Sequence, residues 1–269
     1  MTALPDPSPD LAFALELAAL ADGISLPRFR AADLRIDTKP DRTHVTDADI
    51  AVEQAVRARI AAERPTDGFF GEESGSSAGG SRQWIVDPID GTANFLRGVP
   101  NWATLIALEV DGVPTVGVVS APAFGVRWYA ERGGGAWRHD AGEEPRAIHV
   151  SGVRALGDAS LSFQSVAQWR DAGYLESLLA LCEAVWRDRA YGDMWSYMLL
   201  AEGLVDLVGE FDVKAYDLAA LIPIVREAGG RFTDIDGSDT AWSGSSLASN
   251  GWLHDDALAT VRAARASRA

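Results

Sequence analysis

Two aspartates, Asp87 and Asp90, stand three residues apart at the end of the apolar run Trp84-Ile85-Val86, with Pro88 between them and Gly91-Thr92 following. Carboxylates at the end of a buried-type strand are costly unless a cation meets them. A helix opening at Gly91-Thr92 offers free N–H groups to an anion. The pairing predicts acid side chains for a metal, with amides for a phosphate beside them. Other acids stand at element ends: Glu72 and Glu73 after the short apolar run Phe69-Phe70, and Asp217 at a helix start. Any one of these reads equally well as a capping or solvated carboxylate. Together Glu72, Asp87, Asp90 and Asp217 make an all-oxygen ligand set without Cys or a nearby His, which points to Mg²⁺ or Mn²⁺ rather than Zn²⁺. Acids drawn from several elements suit two ions about 3.5–4 Å apart, the arrangement for phosphoryl hydrolysis. In such a site the Thr92 hydroxyl orients the attacking water, and the Gly91 and Thr92 amides hold phosphate oxygens.

The elements that must carry these residues can be read in order. Ser8-Pro9-Asp10 opens a helix whose face is marked by Leu11, Leu15 and Ala18 and which should end near Gly23 or Pro27. Leu34 to Asp37 alternates as a strand closed by a Lys39-Pro40-Asp41 turn. Thr46-Asp47-Ala48-Asp49 has the form of a capping box with Asp in place of Glu, and its helix should reach Glu63 before Pro65. Residues 74–81 read as a Gly/Ser loop. Trp102 to Val110 and Val113 to Ser120 read as strands joined by an Asp111-Gly112 hairpin turn, with a third strand at Arg127 to Ala130. Past Ser151 strands and helices alternate. Strands are expected at 159–163, 205–210 and 231–234, and helices at 175–185, 195–202, 217–228 and 255–265. The expectation is an α+β first half (1–150) carrying most metal ligands and an α/β second half (151–269) carrying specificity residues and Asp217, joined as one compact unit.

At 269 residues the chain can bury a substantial core, and its formal charge of −15 argues against sequence-independent nucleic-acid binding. Cys182 is the single cysteine, so neither an intrachain disulfide nor a Cys-based zinc site is available. No run approaches the ~18 apolar residues of a membrane span. Met1 to Asp6 lacks the basic stretch of a secretory signal, so a cytoplasmic protein is expected. His44, His139, His149 and His254 show no ligand spacing.

Gly71-Glu72-Glu73, the stretch Asp87-Pro88-Ile89-Asp90-Gly91-Thr92-Ala93-Asn94-Phe95 and the later Tyr216-Asp217-Leu218-Ala219-Ala220 resemble the inositol monophosphatase family of Mg²⁺-dependent phosphatases. The resemblance runs from about Leu11 to Asp255. It implies the layered α-β-α-β-α sugar-phosphatase fold, a homodimer, and two or three Mg²⁺ ions (Mn²⁺ possible). They would be held by Glu72, Asp87, the Ile89 carbonyl, Asp90 and Asp217. It also implies that Glu72, and Thr92 with Asp47 nearby, activate the water, and that Lys39 lies near the metals. Tyr216 stands where the family usually has Trp, so an aromatic is retained.

The metal site recognises a phosphate, so the choice of ester must come from elsewhere. By position in the family, Arg189, Gly192, Asp193 and Glu210 join Asp90, Gly91, Thr92 and Asp217 as substrate contacts, with Arg189 near the phosphate or the subunit interface. Asp193 replaces a small or hydroxylated residue there, and its plainer reading is a helix N-cap. Two carboxylates facing the organic group suit a cationic substrate better than a neutral polyol. The segment Arg187 to Tyr197, with Leu34 to Glu53 and Trp84 to Trp137, resembles the actinobacterial-type histidinol-phosphate phosphatases of this family, and histidinol carries an amine and an imidazole. The expected reaction is hydrolysis of L-histidinol phosphate to L-histidinol and phosphate. The competing readings are an inositol-1-phosphate or broad sugar-phosphate phosphatase, a 3′-phosphoadenosine bisphosphate phosphatase disfavoured by the lack of a basic pocket, and a catalytically inactive metal-binding regulator.

Overall fold

The computed structural model describes residues 7–39, 43–77 and 80–266. Helix α1 (Pro9–Arg28) starts as expected, with the Ser8 hydroxyl accepting the Leu11 N–H and Pro9 in the first turn. It runs past Gly23 because Leu17, Ala18, Ala21 and Ser25 continue one buried face against the sheet below. A two-stranded ribbon, β1 (Ile36–Thr38) and β2 (His44–Thr46), then leads into α2 (Asp47–Glu63). Thr46 and Asp49 close the reciprocal capping box. The turn expected after Lys39 falls at Pro40 and Asp41, outside the described residues.

Eight strands follow in the first sheet: β3 (Gly68–Gly71), β4 (Gly75–Ser77), β5 (Arg82–Asp90), β6 (Ala103–Val110), β7 (Val113–Ala121), β8 (Val126–Glu131), β9 (Ala136–Asp140) and β10 (Arg146–Ala147). Their order is β10-β9-β8-β7-β6-β5-β3-β4, antiparallel throughout except for β3 beside β5. The hairpin turn is the one expected: Asp111 and Gly112 both take positive φ, 52° and 77°. Residues 75–77, read as loop, pair with β3 as an edge strand. A short helix, α3 (Thr92–Arg97), leaves the end of β5.

The second sheet has the order β12-β11-β13-β15-β14, built from β11 (Ser160–Phe163), β12 (Arg187–Arg189), β13 (Leu207–Phe211), β14 (Arg231–Thr233) and β15 (Ser245–Ser249). Its helices are α4 (Val166–Asp171), α5 (Leu175–Ala184), α6 (Asp193–Ala201), α7 (Ala215–Leu218), α8 (Leu221–Glu227) and α9 (His254–Ala266). The single helix expected over 217–228 is two, α7 and α8. Pro223 has no N–H to bond back into a continuous helix, yet is tolerated in the first turn of α8. Strand β15 carries three serines in five residues yet is buried throughout. Its serines find partners, Ser246 on the Tyr197 hydroxyl and Ser249 on His254 Nδ1.

Five layers result. Helices α1 and α2 bury Leu17, Val52, Val56 and Ile60 against Trp84, Val86, Ile106 and Leu108 on one face of the first sheet. Helices α6 and α8 fill the space between the sheets, packing Met198, Leu200, Leu221 and Ile224 with Ile85, Leu105 and Val119 on one side and Val208, Phe232 and Ala248 on the other. Helices α4, α5 and α9 cover the outer face of the second sheet around Trp169, Leu181, Leu253 and Val261. This is the α-β-α-β-α arrangement. No helix among the described residues is long and apolar enough to cross a membrane.

Candidate functional site

In a regular strand, residues three apart point to opposite faces. Asp87 and Asp90 escape that rule. Asp87 pairs with Leu105 and Asp90 with Ala103, so three steps on β5 match two on β6. The extra residue is a bulge, and it falls where Pro88 has no N–H for the ladder. The Pro88 carbonyl is held by the Thr104 hydroxyl at 2.8 Å, and the Ile89 N–H donates to Asp87 Oδ1 at 3.0 Å. The bulge turns both carboxylates to one side, where α7 brings Asp217. One oxygen from each of Asp87, Asp90 and Asp217 lies within 4.8 Å of the others. Two of these acids are also oriented by backbone donors: Asp90 Oδ2 accepts the Met194 N–H at 2.7 Å, and Asp217 Oδ2 the Lys214 N–H at 2.6 Å.

Glu72 follows β3 and stands beside this trio, its backbone N–H donating to the Val86 carbonyl. Lys39 bridges Glu72 and Glu73 through Nζ at 2.8 and 2.7 Å. The turn itself is braced from below by buried Glu53 of α2, whose two oxygens accept the Glu73 and Ser74 N–H groups at 2.7 Å each. Sequence inspection missed Glu53. Its signal is the helical spacing that puts it on the buried face with Asp49, Val52, Val56 and Ile60.

The same spacing corrects one assignment. The Thr92 hydroxyl donates to the Ile89 carbonyl at 3.0 Å and lies 3.4 Å from Asp49 Oδ1. Asp47, the acid expected there, points away and forms an ion pair with Arg28 at 2.7 Å. Two residues along a helix are roughly 200° apart, so only one of these acids can face the site. Asp49 is fully buried, with Oδ2 accepting the Thr46 N–H and hydroxyl at 2.8 and 2.5 Å.

Gly91 takes φ 82°, and a Cβ there would come within 2.9 Å of the Asn101 carbonyl, so glycine is required at the turn into α3. Beside the acids lies a cavity of about 160 Å³. Asp90, Asp193, Glu210, Asp212 and Asp217 line it, with Gln164, Gln168, Met194 and Tyr197, and no described Lys, Arg or His does. Buried Glu210 accepts the Tyr197 hydroxyl at 2.8 Å through Oε2, and its Oε1 is buried without a partner. Gly192 and Asp193 form the start of α6 at positive φ, 70° and 48°. Asp193 is thus at the pocket and not an N-cap; Gly192 takes the cap position. Arg189 is elsewhere. It sits exposed on edge strand β12, donates to the Asp188 carbonyl, and does not line the cavity. Tyr216 packs on Phe70 with ring centroids 5.8 Å apart.

Burial and crowding raise the acids. Burial, then the charges of Glu72 and Asp90, pushes Asp87 well above the usual carboxylate range, and burial with Asp193 and Asp217 does the same to Asp90. Burial brings Asp217 to about 7, Glu73 to about 7 and Asp49 to about 6, with the Glu72 charge adding to each. Glu210 rises to about 8, first through burial and then through Asp193 and Asp217. Burial works against the Lys39 charge, but Glu72 and Glu73 outweigh it and hold the ammonium above its ordinary value. A buried, carboxylate-only donor set of this kind fits a hard divalent cation, which offsets the repulsion that raises these groups.

Residues 6–266 match the profile described as the inositol monophosphatase family. A histidinol-phosphatase of Mycobacterium tuberculosis is 55% identical over 255 residues, 94% of this chain and 98% of its own. One from Streptomyces coelicolor is 48% identical, covering 95% and 97%. Among solved structures, the extragenic suppressor protein suhB from Bartonella henselae superposes with a TM-score of 0.86 at 29% identity, over 95% of this chain and 99% of that one.

Proposed function

The chain belongs to the inositol monophosphatase family, and on that premise we propose that it is a Mg²⁺-dependent phosphomonoesterase converting L-histidinol phosphate to L-histidinol and phosphate in the cytoplasm, as a homodimer. The observation that carries the substrate reading is the cavity lining, five acids with no described basic residue. Such a surface repels a second phosphate or a carboxylate and attracts an amine and an imidazolium. Glu210 lines the cavity, and its Oε1 is buried with no protein partner. A cationic substrate N–H both supplies the bond that the protein leaves unmade and favours the ionised form of Glu210, which a neutral polyol does not. Relatives that bear the histidinol-phosphatase name over nearly the whole chain support the same reading.

Glu72, Asp87, Asp90, Asp217 and the Ile89 carbonyl hold the magnesium ions, two or three in number. Bound there, magnesium supplies positive charge to the phosphoryl and leaving-group oxygens and acidity to a water molecule. The chain's own residues do the rest. The Gly91 and Thr92 N–H groups receive phosphate oxygens. Thr92 orients the attacking water, and Asp49, with its carboxyl near 6, takes the proton that the hydroxyl relays. Water attacks phosphorus, the bond to the histidinol oxygen breaks, and the departing alkoxide is reprotonated from solvent. Glu210 and Asp193 hold the cationic end so that the ester lies over the acids.

Steady-state assays with Mg²⁺ on L-histidinol phosphate and inositol 1-phosphate test the reading. The expected result is a clear preference in kcat/KM for histidinol phosphate. A preference for the inositol ester overturns the substrate and keeps the phosphatase; no Mg²⁺-dependent phosphate release from either makes the chain an inactive metal binder.

A further inference from the structure

The carboxylate of Asp193 is held from two directions. Asn94, on α3 just past the Gly91-Thr92 turn, donates from Nδ2 to Asp193 Oδ2 at 2.7 Å and to the Asn101 carbonyl at 2.9 Å. Gln164, at the end of β11, donates from Nε2 to Asp193 Oδ1 at 2.8 Å and accepts the Asp193 N–H on Oε1 at 2.6 Å. The backbone N–H fixes which end of the Gln164 amide faces which way, so its Nε2 must meet the carboxylate. Gly192 makes the approach possible, since a Cβ there would lie 2.1 Å from Gln164 Oε1. Asp193 itself is held at φ 48°, a conformation that L side chains rarely adopt. Each carboxylate oxygen therefore already accepts one amide N–H and keeps further acceptor capacity for the cavity.

We propose that Asn94 and Gln164 are positioning residues for substrate selection, clamping the Asp193 carboxylate between the phosphate turn and the organic end of the cavity. The inference rests on the histidinol phosphate reading above. Neither amide needs to touch the substrate. Their effect is to keep a negative charge at a fixed distance from the site where the phosphate is held, so that an ester whose cation sits at the matching distance is favoured. A free Asp193 would swing, and selection would weaken while the metal site stayed intact.

The test is a double-mutant cycle in the full chain with Mg²⁺, using Gln164→Met, Asp193→Asn and the double variant. The readout is the ratio of kcat/KM on L-histidinol phosphate to that on inositol 1-phosphate. Gln164→Met keeps the shape and removes both hydrogen bonds, and it should lower the ratio about ten-fold, mainly through KM for histidinol phosphate. In the Asp193→Asn background the same change should lower it less than about two-fold, because the two act as one unit. An unchanged ratio in Gln164→Met, or a full effect in both backgrounds, overturns the clamp while leaving the substrate reading in place. A parent protein without preference for histidinol phosphate overturns both, and is seen before any variant is made. Should Gln164→Met not fold, Asn94→Ser takes its place in the cycle: a lowered ratio that depends on Asp193 supports the clamp, and an unchanged or independent one overturns it.

Discussion

Thr92 and Asp49 meet across 43 residues of sequence, hydroxyl to carboxylate at 3.4 Å, with the Ile89 carbonyl completing the contact at 3.0 Å. The pair joins the helix that begins after β2 to the turn that ends β5, and in the proposed reaction Asp49 is a proton acceptor distinct from the acids proposed to hold the metals. Asp49→Asn should lower kcat by about 10²–10⁴-fold with little change in fold. Asp47→Asn, which breaks a partly exposed pair with Arg28, should cost under about 1 kcal/mol and leave kcat within about two-fold. Parallel kinetics and thermal unfolding of both variants check this. The reverse ranking would return the role to Asp47.

Removal of divalent cations by a chelator should abolish phosphate release, and added Mg²⁺ should restore it. Asp90→Asn should abolish turnover without unfolding, because asparagine keeps an acceptor for the Met194 N–H while losing a charge from a buried cluster. Mg²⁺ at about 100 times its Kd should stabilise the parent by about 2.7 kcal/mol and the variant by less. Calorimetry with and without Mg²⁺ reads both; near-normal activity of Asp90→Asn would refute the metal assignment.

The pH dependence of the chelator-treated protein has a defined sign. Glu210 rises from 4.5 to about 8 on folding, so between those values the folded state holds a proton that the unfolded chain has released. Stability therefore falls as pH rises through that window. Glu210→Gln removes one contributor, and its decline should be shallower by at most about 1.4 kcal/mol per pH unit. Urea midpoints measured between about pH 5 and about pH 8 compare the two slopes. Equal slopes would mean that Glu210 is ionised throughout.

Glu53→Ala should act on the metal site without touching it. The Glu73 and Ser74 N–H groups lose their acceptors, at a cost of about 1–3 kcal/mol. Freed from its brace, the turn that carries Glu72 should lower Mg²⁺ affinity by about 10–100-fold. Isothermal titration with Mg²⁺ and a thermal melt measure the two effects, and unchanged affinity would make Glu53 a stability residue alone.

Much of this was legible in the chain because the signals are local. Ser8-Pro9, the Thr46/Asp49 box and Asp111-Gly112 each satisfy backbone groups within a few residues, so their geometry follows from neighbours in sequence. The strand-end acids were legible for a related reason. Carboxylates after apolar runs need a cation whatever the fold, and three of the four predicted ligand acids have oxygens within 4.8 Å of one another.

Other features depend on partners distant in the chain. That Asp87 and Asp90 share a face is decided by the bulge against β6. Serine-rich β15 is a central strand because Tyr197 and His254, on separate helices, satisfy its hydroxyls. Whether Asp47 or Asp49 faces Thr92 turns on the rotation of α2 against the first sheet, and the removal of Arg189 from the cavity on the placement of β12 at an edge. The sequence by itself determined the residue types of the site and the class of cation they suit, since charge and donor chemistry are intrinsic to each side chain. Only the tertiary structure decided which acids converge, which are spent on ion pairs, and which buried oxygen is left without a protein partner. Those outcomes depend on packing between elements more than a hundred residues apart, as Asp87 and Asp217 are, and no local pattern encodes that distance.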